Sequence, residues 1–226
     1  TLIMIWGRSM SLITRRFKAF LAIVFVSATV VLSGCGESPK EDVNNEQIDV
    51  LRRGIDAFPE SLDAHKYISN QSLQVLRDIG EGLVTIASDG SIVPGAAKSW
   101  QVSSEGSSYT FELRDNLVYS GGAPVKAAHF RIAFERLFAE DSVAPSRGYF
   151  TDIDGARESL QGKGELANLG VVAVDEQTLR IDLTGPAPYF LELLTLPVAY
   201  PVVSVEDDAI PRNGAYTIKE NNSPFS

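Results

Sequence analysis

The sequence predicts a mixed α/β fold in which strands and amphipathic helices follow one another. Its clearest strand signal lies at residues 109–114, where Tyr109, Phe111 and Leu113 alternate with polar residues, as in a strand with one buried face. The clearest helix signal lies at residues 127–141, where apolar residues recur at helical spacing and form one stripe. The members of that stripe are Phe130, Ala133, Phe134, Leu137 and Phe138. We expect the stripe to be part of the core.

The elements expected along the chain follow from apolar periodicity and from turn residues. Residues 35–47 are polar and charged, which predicts a flexible tether. Asn70 stands where a helix N-cap is expected. In chain order we expect a strand at 48–55, a helix at 71–80, a strand at 82–86, a turn at 88–90, the strand at 109–114 after a polar loop at 103–108, the helix at 127–141, a loop at 142–149, strands at 166–174 and 179–183, a short helix at 189–194, and a turn and strand at 213–218.

The composition is that of a globular protein and excludes several classes of function. Of 226 residues, 44% are hydrophobic and 22% are charged. The four basic residues before Cys35 are accompanied by no acid, so the remainder has 16 basic against 29 acidic residues. A body this acidic argues against a nucleic-acid partner. A single cysteine excludes an internal disulfide, and His65 and His129 are not at metal-ligand spacing.

Residues 1–34 have the layout of a secretory signal peptide. Arg15, Arg16 and Lys18 precede an apolar run of 14 residues at 19–32, which is too short to span a bilayer comfortably. The sequence Leu-Ser-Gly-Cys at 32–35 resembles the bacterial lipobox, in which the cysteine becomes the lipidated first residue of the mature protein. We therefore expect Cys35 to carry a lipid anchor. The alternative is a buried structural cysteine beside an uncleaved anchor helix.

Seven short stretches between about residues 50 and 219 form an ordered pattern. They are SLDAHK at 61–66, LRDIGEGL at 76–83, PGAAKSW at 94–100, YTFELR at 109–114, GAPV at 122–125 with Phe130 after it, PAPYF at 186–190, and NGAYTIK at 213–219. In this order they resemble the extracytoplasmic solute-binding proteins of peptide ABC transporters, the oligopeptide- and dipeptide-binding family known as solute-binding protein family 5. Such proteins are often lipoproteins, which agrees with Cys35.

The chain departs from the family pattern around the start of the helix at 127–141. Tyr119, Ser120, Gly121 and Gly122 stand where the family usually has Trp-Ser-Asp-Gly. Lys126, Ala127 and His129 occupy the positions of a Thr-Ala pair and a following acid. We expect the helix to lose a hydroxyl cap and to begin with positive charge, at a cost of about 1 kcal/mol.

The resemblance implies a two-lobed periplasmic-binding-protein fold of class II type, of which this chain is expected to be an amino-terminal fragment. Residues 48–80 and 202–226 would form an incomplete first lobe, and residues 81–201 an inserted β-rich subdomain. We expect the tail from residue 202 to be poorly anchored.

For function, the resemblance implies a non-enzymatic, monomeric, cofactor-free component of an ABC importer, lipid-anchored in the periplasm or on the outer face of the cytoplasmic membrane. It would capture oligopeptides or dipeptides between its lobes and deliver them to the permease. Family members hold an extended peptide by backbone pairing. The corresponding residues here are Ile68, Ser69 and Asn70, with Tyr149 lining the cleft.

Other interpretations stay open at this point. Asn70 could instead be only the helix N-cap, and Tyr149 only a surface tyrosine of a variable loop. The sequence lacks hydrolase and zinc-protease motifs, and the acids at 152 and 154 lack the remaining ligands of a calcium loop. If the chain ends at Ser226, an envelope lipoprotein interaction domain without a small ligand is the alternative function. Dipeptides, oligopeptides, cell-wall peptides, nickel complexes, haem and glutathione are not separated by the sequence.

Overall fold

The structure is a computed structural model that describes residues 51–204, 210 and 212–218. The predicted signal peptide at 1–34, Cys35 and the tether at 35–47 lie outside the described residues. Of the strand expected at 48–55, residues 51–55 are described and form no strand. In the part of the chain that the structure describes, every helix is too short or too polar to cross a membrane.

Four α-helices and six strands are described; most lie close to predicted elements, whereas the strands at 92–94 and 97–102 and the helix at 156–160 were not expected. The elements are α1 (Asn70–Ile79), β1 (Val84–Ile86), β2 (Ile92–Pro94), β3 (Ala97–Val102), β4 (Ser108–Leu113), α2 (Ala127–Phe138), α3 (Ala156–Leu160), β5 (Val171–Ala173), β6 (Thr178–Asp182) and α4 (Phe190–Leu193). Short 3-10 helices are formed by Pro145–Phe150, Leu166–Asn168 and Pro197–Ala199. Strands β1 and β2 form a hairpin, and the other strands form an antiparallel sheet in the order β3-β4-β6-β5.

Strand β4 lies between β3 and β6 and confirms the predicted alternation. Tyr109, Phe111 and Leu113 are buried, and Phe111 is opposite Trp100 on β3 and Leu179 on β6. The polar loop before β4 turns through Gly106, whose φ of +71° is a conformation that favours glycine. The sheet therefore has one apolar face, which another element must bury.

Helix α2 covers that face, and its apolar stripe is confirmed as core. All five stripe residues are buried, and the helix ends at Phe138, three residues before the predicted end. Phe134 packs edge-on against Phe150, with ring centroids 5.4 Å apart. Phe150 in turn meets Phe190 edge-on at 6.4 Å, and Tyr109 of β4 lies 5.4 Å from Phe190. One aromatic cluster thus joins helix, sheet and the loop that carries Tyr149.

The start of α2 differs from the expectation of uncompensated positive charge. Lys126 is the N-cap residue and supplies no side-chain cap, as expected. However, Nδ1 of His129 accepts a hydrogen bond from the backbone N–H of Lys126 at 3.1 Å. Burial, followed by the charge of Lys126, lowers the pKa of His129, so the ring stays neutral and can accept. The histidine takes the place of the missing acid at the third helical position.

Three further expectations for individual segments are wrong. In the expected loop at 142–149, residues from 145 onward form a 3-10 helix, and the strand expected at 166–174 is reduced to β5 after a separate 3-10 turn. The strand expected at 213–218 is absent. The N–H groups of Gly214 and Tyr216 instead donate to the carbonyls of Ile79 and Asp78, at the carboxyl end of α1. Two backbone donors of the segment are therefore used at this helix end and not in a strand ladder.

Residues 212–216 are also better anchored than expected for the tail. The side chain of Asn213 is buried and bonds both the N–H and the carbonyl of Glu81, at 3.2 and 2.8 Å. The carbonyl of Arg212 accepts from the N–H of Ser120 at 2.6 Å. The expectation of poor anchoring is therefore wrong for these residues.

Candidate functional site

The turn that precedes α1 is fixed to the core helix by a buried ion pair. The carboxylate of Asp63 accepts two bonds from the guanidinium of Arg136 on α2, at 3.1 and 2.8 Å. It also accepts the backbone N–H of His65 at 2.8 Å and lies 3.2 Å from Nζ of Lys66. Burial alone raises the pKa of Asp63, but Arg136 and the His65 amide outweigh burial and lower it. The turn 63–66 is thus held in one conformation against α2.

His65 fixes the same turn to a third element. Its side chain is only 3% exposed, and Nε2 lies 3.0 Å from the carbonyl oxygen of Val198, so Nε2–H donates. Within the described residues, Nδ1 has no hydrogen-bond partner. Burial, and then the charge of Arg136, lowers the pKa of His65 to about 4. The ring is therefore neutral at physiological pH and acts as a structural donor.

The predicted ligand-facing residues Ile68, Ser69 and Asn70 follow this turn directly. The side chain of Ile68 is 76% exposed. Ser69 is the N-cap of α1, because its hydroxyl accepts the N–H of Ser72 at 3.1 Å. Asn70 is the first helical residue and is exposed, so its interpretation as the N-cap is wrong by one position. A capping hydroxyl one residue earlier satisfies the same helix end.

Tyr149 lies in the 3-10 helix Pro145–Phe150, and its side chain is 63% exposed. The neighbouring Phe150 is fully buried, so the core holds this short helix while Tyr149 faces outward. Burial raises the pKa of Tyr67; Arg77 opposes this effect, and Tyr149 adds to it. Tyr67 is therefore near enough to Tyr149 for the two hydroxyls to interact electrostatically. Tyr67 directly precedes Ile68, so this electrostatic interaction is the link observed between the two predicted parts of the site.

Two features of this neighbourhood were missed by the sequence reasoning. A cavity of about 320 Å³ is lined by the turn at His65 and Lys66, by Arg136 and by the segment from Asp141 to Ala144. The carboxylate of Glu60 accepts the backbone N–H groups of Ile68 and Ser69 at 2.6 and 2.9 Å. No signal of periodicity reveals Glu60, because its partners lie eight and nine residues away in an irregular turn.

The neighbourhood offers apolar and polar groups at its surface. Within the described part of the chain, no group of three or more histidine, cysteine or acidic side chains is placed to hold a metal ion. The exposed groups are an isoleucine, tyrosines and polar backbone, which suit van der Waals contact and hydrogen bonding.

Comparison with known proteins identifies the family. Residues 91–224 match the sequence profile of the bacterial extracellular solute-binding proteins, family 5, middle region. The chain belongs to this family. The predicted family is confirmed, and so is the predicted fold class, because the solved relatives are two-lobed periplasmic binding proteins and the described residues form both helices and sheets.

The family 5 relatives are longer than this chain. The periplasmic murein peptide-binding protein MppA of Escherichia coli is 34% identical over 85% of this chain and 38% of its own length. The probable deoxycholate-binding periplasmic protein YgiS is 33% identical (68% and 29% covered), and the periplasmic oligopeptide-binding protein OppA is 35% identical (71% and 32%), both from the same organism. The solved structure of E. coli MppA superposes with a TM-score of 0.68 at 35% identity, over 74% of this chain and 35% of that one. The chain thus spans about a third of the length of the curated relatives it matches.

Proposed function

We propose that this family 5 chain belongs to the substrate-binding component of an ABC importer and takes part in capturing short peptides. The observation that carries the proposal is family membership together with the peptide-binding names of MppA and OppA. The proposal covers only a share of the binding protein, since the relatives are much longer than the chain. Delivery to a permease belongs to the same proposal.

The geometry around Ile68 and Tyr149 supports peptide capture. Both side chains are large and exposed, and each lies next to buried residues in the chain: Ile68 follows the turn at His65, and Tyr149 precedes Phe150. An extended peptide could lie along the 68–70 segment and place a side chain against the tyrosine ring. Each hydrogen bond contributes only about 0.5–1.5 kcal/mol net, so several must act together.

A ligand-stabilisation screen tests this proposal. The protein encoded by the complete gene is mixed with di-, tri- and pentapeptides, a murein tripeptide and deoxycholate, and unfolding is followed. A peptide at a hundredfold above its dissociation constant should stabilise the protein by about 2.7 kcal/mol. Stabilisation by deoxycholate without any peptide response would replace peptides by a bile-salt ligand, as the name of YgiS suggests for that relative. No response to any peptide contradicts the proposal.

Lipid anchoring at Cys35 is a separate part of the proposal. It rests on the signal layout of residues 1–34 and on the Leu-Ser-Gly-Cys sequence. An anchored protein would act in the periplasm or on the outer face of the cytoplasmic membrane, most simply as a monomer. Expression of the gene with a radiolabelled fatty acid should label the wild type and leave Cys35→Ser unlabelled. Label that persists in the variant would exclude this anchor.

A further inference from the structure

We propose that Glu60 is the positioning residue of the candidate peptide site: it holds the 68–69 backbone in place and closes two of its amide groups to ligands. This inference rests on the proposed function, since it concerns how the 68–70 segment meets a peptide. Glu60 belongs to none of the seven stretches that identify the family, so its role follows from the structure of this chain.

Both oxygens of the Glu60 carboxylate are used. Oε1 accepts the N–H of Ile68 at 2.6 Å and the N–H of Ser69 at 2.9 Å. Oε2 accepts the hydroxyl of Ser69 and the hydroxyl of Ser72, the latter at 2.8 Å. Each oxygen has two acceptor positions, so the carboxylate is saturated. It has no capacity left to bind a ligand directly, and its function is to order what it holds.

The two serines extend this arrangement into α1. The Ser69 hydroxyl donates to Glu60 and accepts the N–H of Ser72, so the helix cap itself is oriented by the carboxylate. The Ser72 hydroxyl likewise donates to Glu60 and accepts the N–H of Ser61 at 3.4 Å. A negative charge at the amino end of a helix is also favoured by the helix dipole. Loop, cap and helix are therefore ordered together by one side chain.

The carboxylate stays ionised throughout the physiological range. Burial raises the pKa of Glu60, but the bonds from Ile68 and Ser69 outweigh burial and lower it to about 2. An ionised acceptor within the chain is stronger than the neutral carbonyl of a peptide. A bound peptide therefore does not displace Glu60 from the two amides.

A specific pairing pattern follows. With the Ile68 and Ser69 N–H groups occupied, a peptide can bond this stretch only through the remaining polar groups, the carbonyl of Ile68 and the exposed Asn70. A peptide that pairs with the backbone of Ile68 must then donate an N–H to the Ile68 carbonyl. Because Glu60 already orders the segment, a peptide does not have to immobilise it on binding. If one residue had to be ordered on binding, its lost backbone entropy would weaken affinity about tenfold.

Hydrogen exchange tests the positioning role without any ligand. In the complete protein, Glu60→Gln should accelerate exchange of the Ile68 and Ser69 amides about tenfold. Hydrogen bonds to a charged group contribute more than neutral ones, but solvent weakens them at an exposed carboxylate, so a larger acceleration is not expected. The amides of Leu76 and Ile79, deeper in α1, should keep their rates, which separates loss of positioning from general destabilisation. Glu105→Gln, at an exposed glutamate in the β3–β4 turn, is the matched control. Unchanged rates at Ile68 and Ser69 in Glu60→Gln would overturn the proposal.

Calorimetric binding of trialanine and pentaalanine tests the consequence for ligands. Affinity should fall about tenfold in Glu60→Gln and remain unchanged in Glu105→Gln. A gain in affinity would overturn the proposal, because it would mean that Glu60 competes with the peptide for the two amides. If the wild type binds no peptide at all, the proposed function fails, and the exchange rates alone still decide whether Glu60 holds the segment.

Discussion

Acidification from pH 7 to pH 5 should destabilise the chain through His65. The imidazole is buried, its Nε2–H donates to the Val198 carbonyl, and its Nδ1 has no partner among the described residues. A proton on Nδ1 would create a buried cation close to Arg136 with no new hydrogen bond. The neutral ring is therefore the form that the folded state stabilises.

The size of the effect follows from the two pKa values. The pKa is 6.5 in the unfolded chain and about 4 in the folded chain, so the unfolded state binds more protons between these values. Stability contributed by the neutral ring is fully present above pH 6.5 and is lost as the pH falls towards 4. At about 1.4 kcal/mol per pH unit, the whole gap corresponds to about 3 kcal/mol, of which about 2 kcal/mol is lost by pH 5.

Urea unfolding of the wild type and of His65→Gln at pH 7 and pH 5 measures this effect. The glutamine amide can donate to the Val198 carbonyl in place of Nε2–H but does not titrate. His129, whose pKa is also lowered, is present in both proteins and cancels in the comparison. The wild type should lose about 2 kcal/mol more than the variant between the two pH values. Equal losses would show that His65 protonates in the folded state at its ordinary pKa, and would refute the reasoning.

Three further outcomes are expected from single substitutions. Gly214→Ala should lower the free energy of unfolding in urea by about 2 kcal/mol, because the new Cβ would lie 2.5 Å from backbone atoms of residues 79 and 80. Gly121 has open space around it, so Gly121→Ala should change the free energy of unfolding by no more than about 0.5 kcal/mol. Phe134→Ala should cost about 3–5 kcal/mol in the same assay, since the ring is fully buried between α2 and Phe150, and a smaller loss would show that the site collapses. Tyr149→Ala should weaken peptide binding about tenfold in calorimetry with little change in stability; unchanged affinity would remove Tyr149 from the site.

Much of the fold could be predicted where the signal is local and repeats along the chain. Alternation at β4 and the five-residue stripe of α2 each bury one continuous face, and such periodicity depends on burial alone. The segment at 213–218 has strand-like composition, yet its amides bond the end of α1. A helix end that lies more than 130 residues earlier in the chain decides that outcome. The strand propensity of a short stretch carries no information about a hydrogen-bond partner so distant in the chain.

The resemblance predicts where the candidate site lies, and this stays a prediction, whereas no sequence pattern predicts the hydrogen bonds found there. The resemblance points to Ile68, Ser69, Asn70 and Tyr149, and the electrostatic interaction between Tyr67 and Tyr149 is the link observed between these two parts. The use of the Ile68 and Ser69 amides by Glu60 depends on how the irregular turn between them folds. Turns of this kind are specified by individual hydrogen bonds, which leave no periodic trace in the sequence.

The segment from Glu60 to Ser69 shows how an exposed stretch of chain can be held in place without a core of its own. Asp63 bonds Arg136 of α2, His65 bonds the 3-10 helix Pro197–Ala199, and Glu60 bonds the residues that lead into α1. Each contact engages a different element, so the segment cannot shift along one of them without breaking a bond to another. Ile68 can therefore remain exposed while its backbone is already ordered, which lowers the entropic cost of binding a ligand. Burial of its side chain would fix the backbone equally well, but the side chain would then be inaccessible to a ligand. Polar anchoring of this kind explains why a stretch rich in Ser, Asp, His and Lys lies directly before the most exposed large apolar side chain of the described residues.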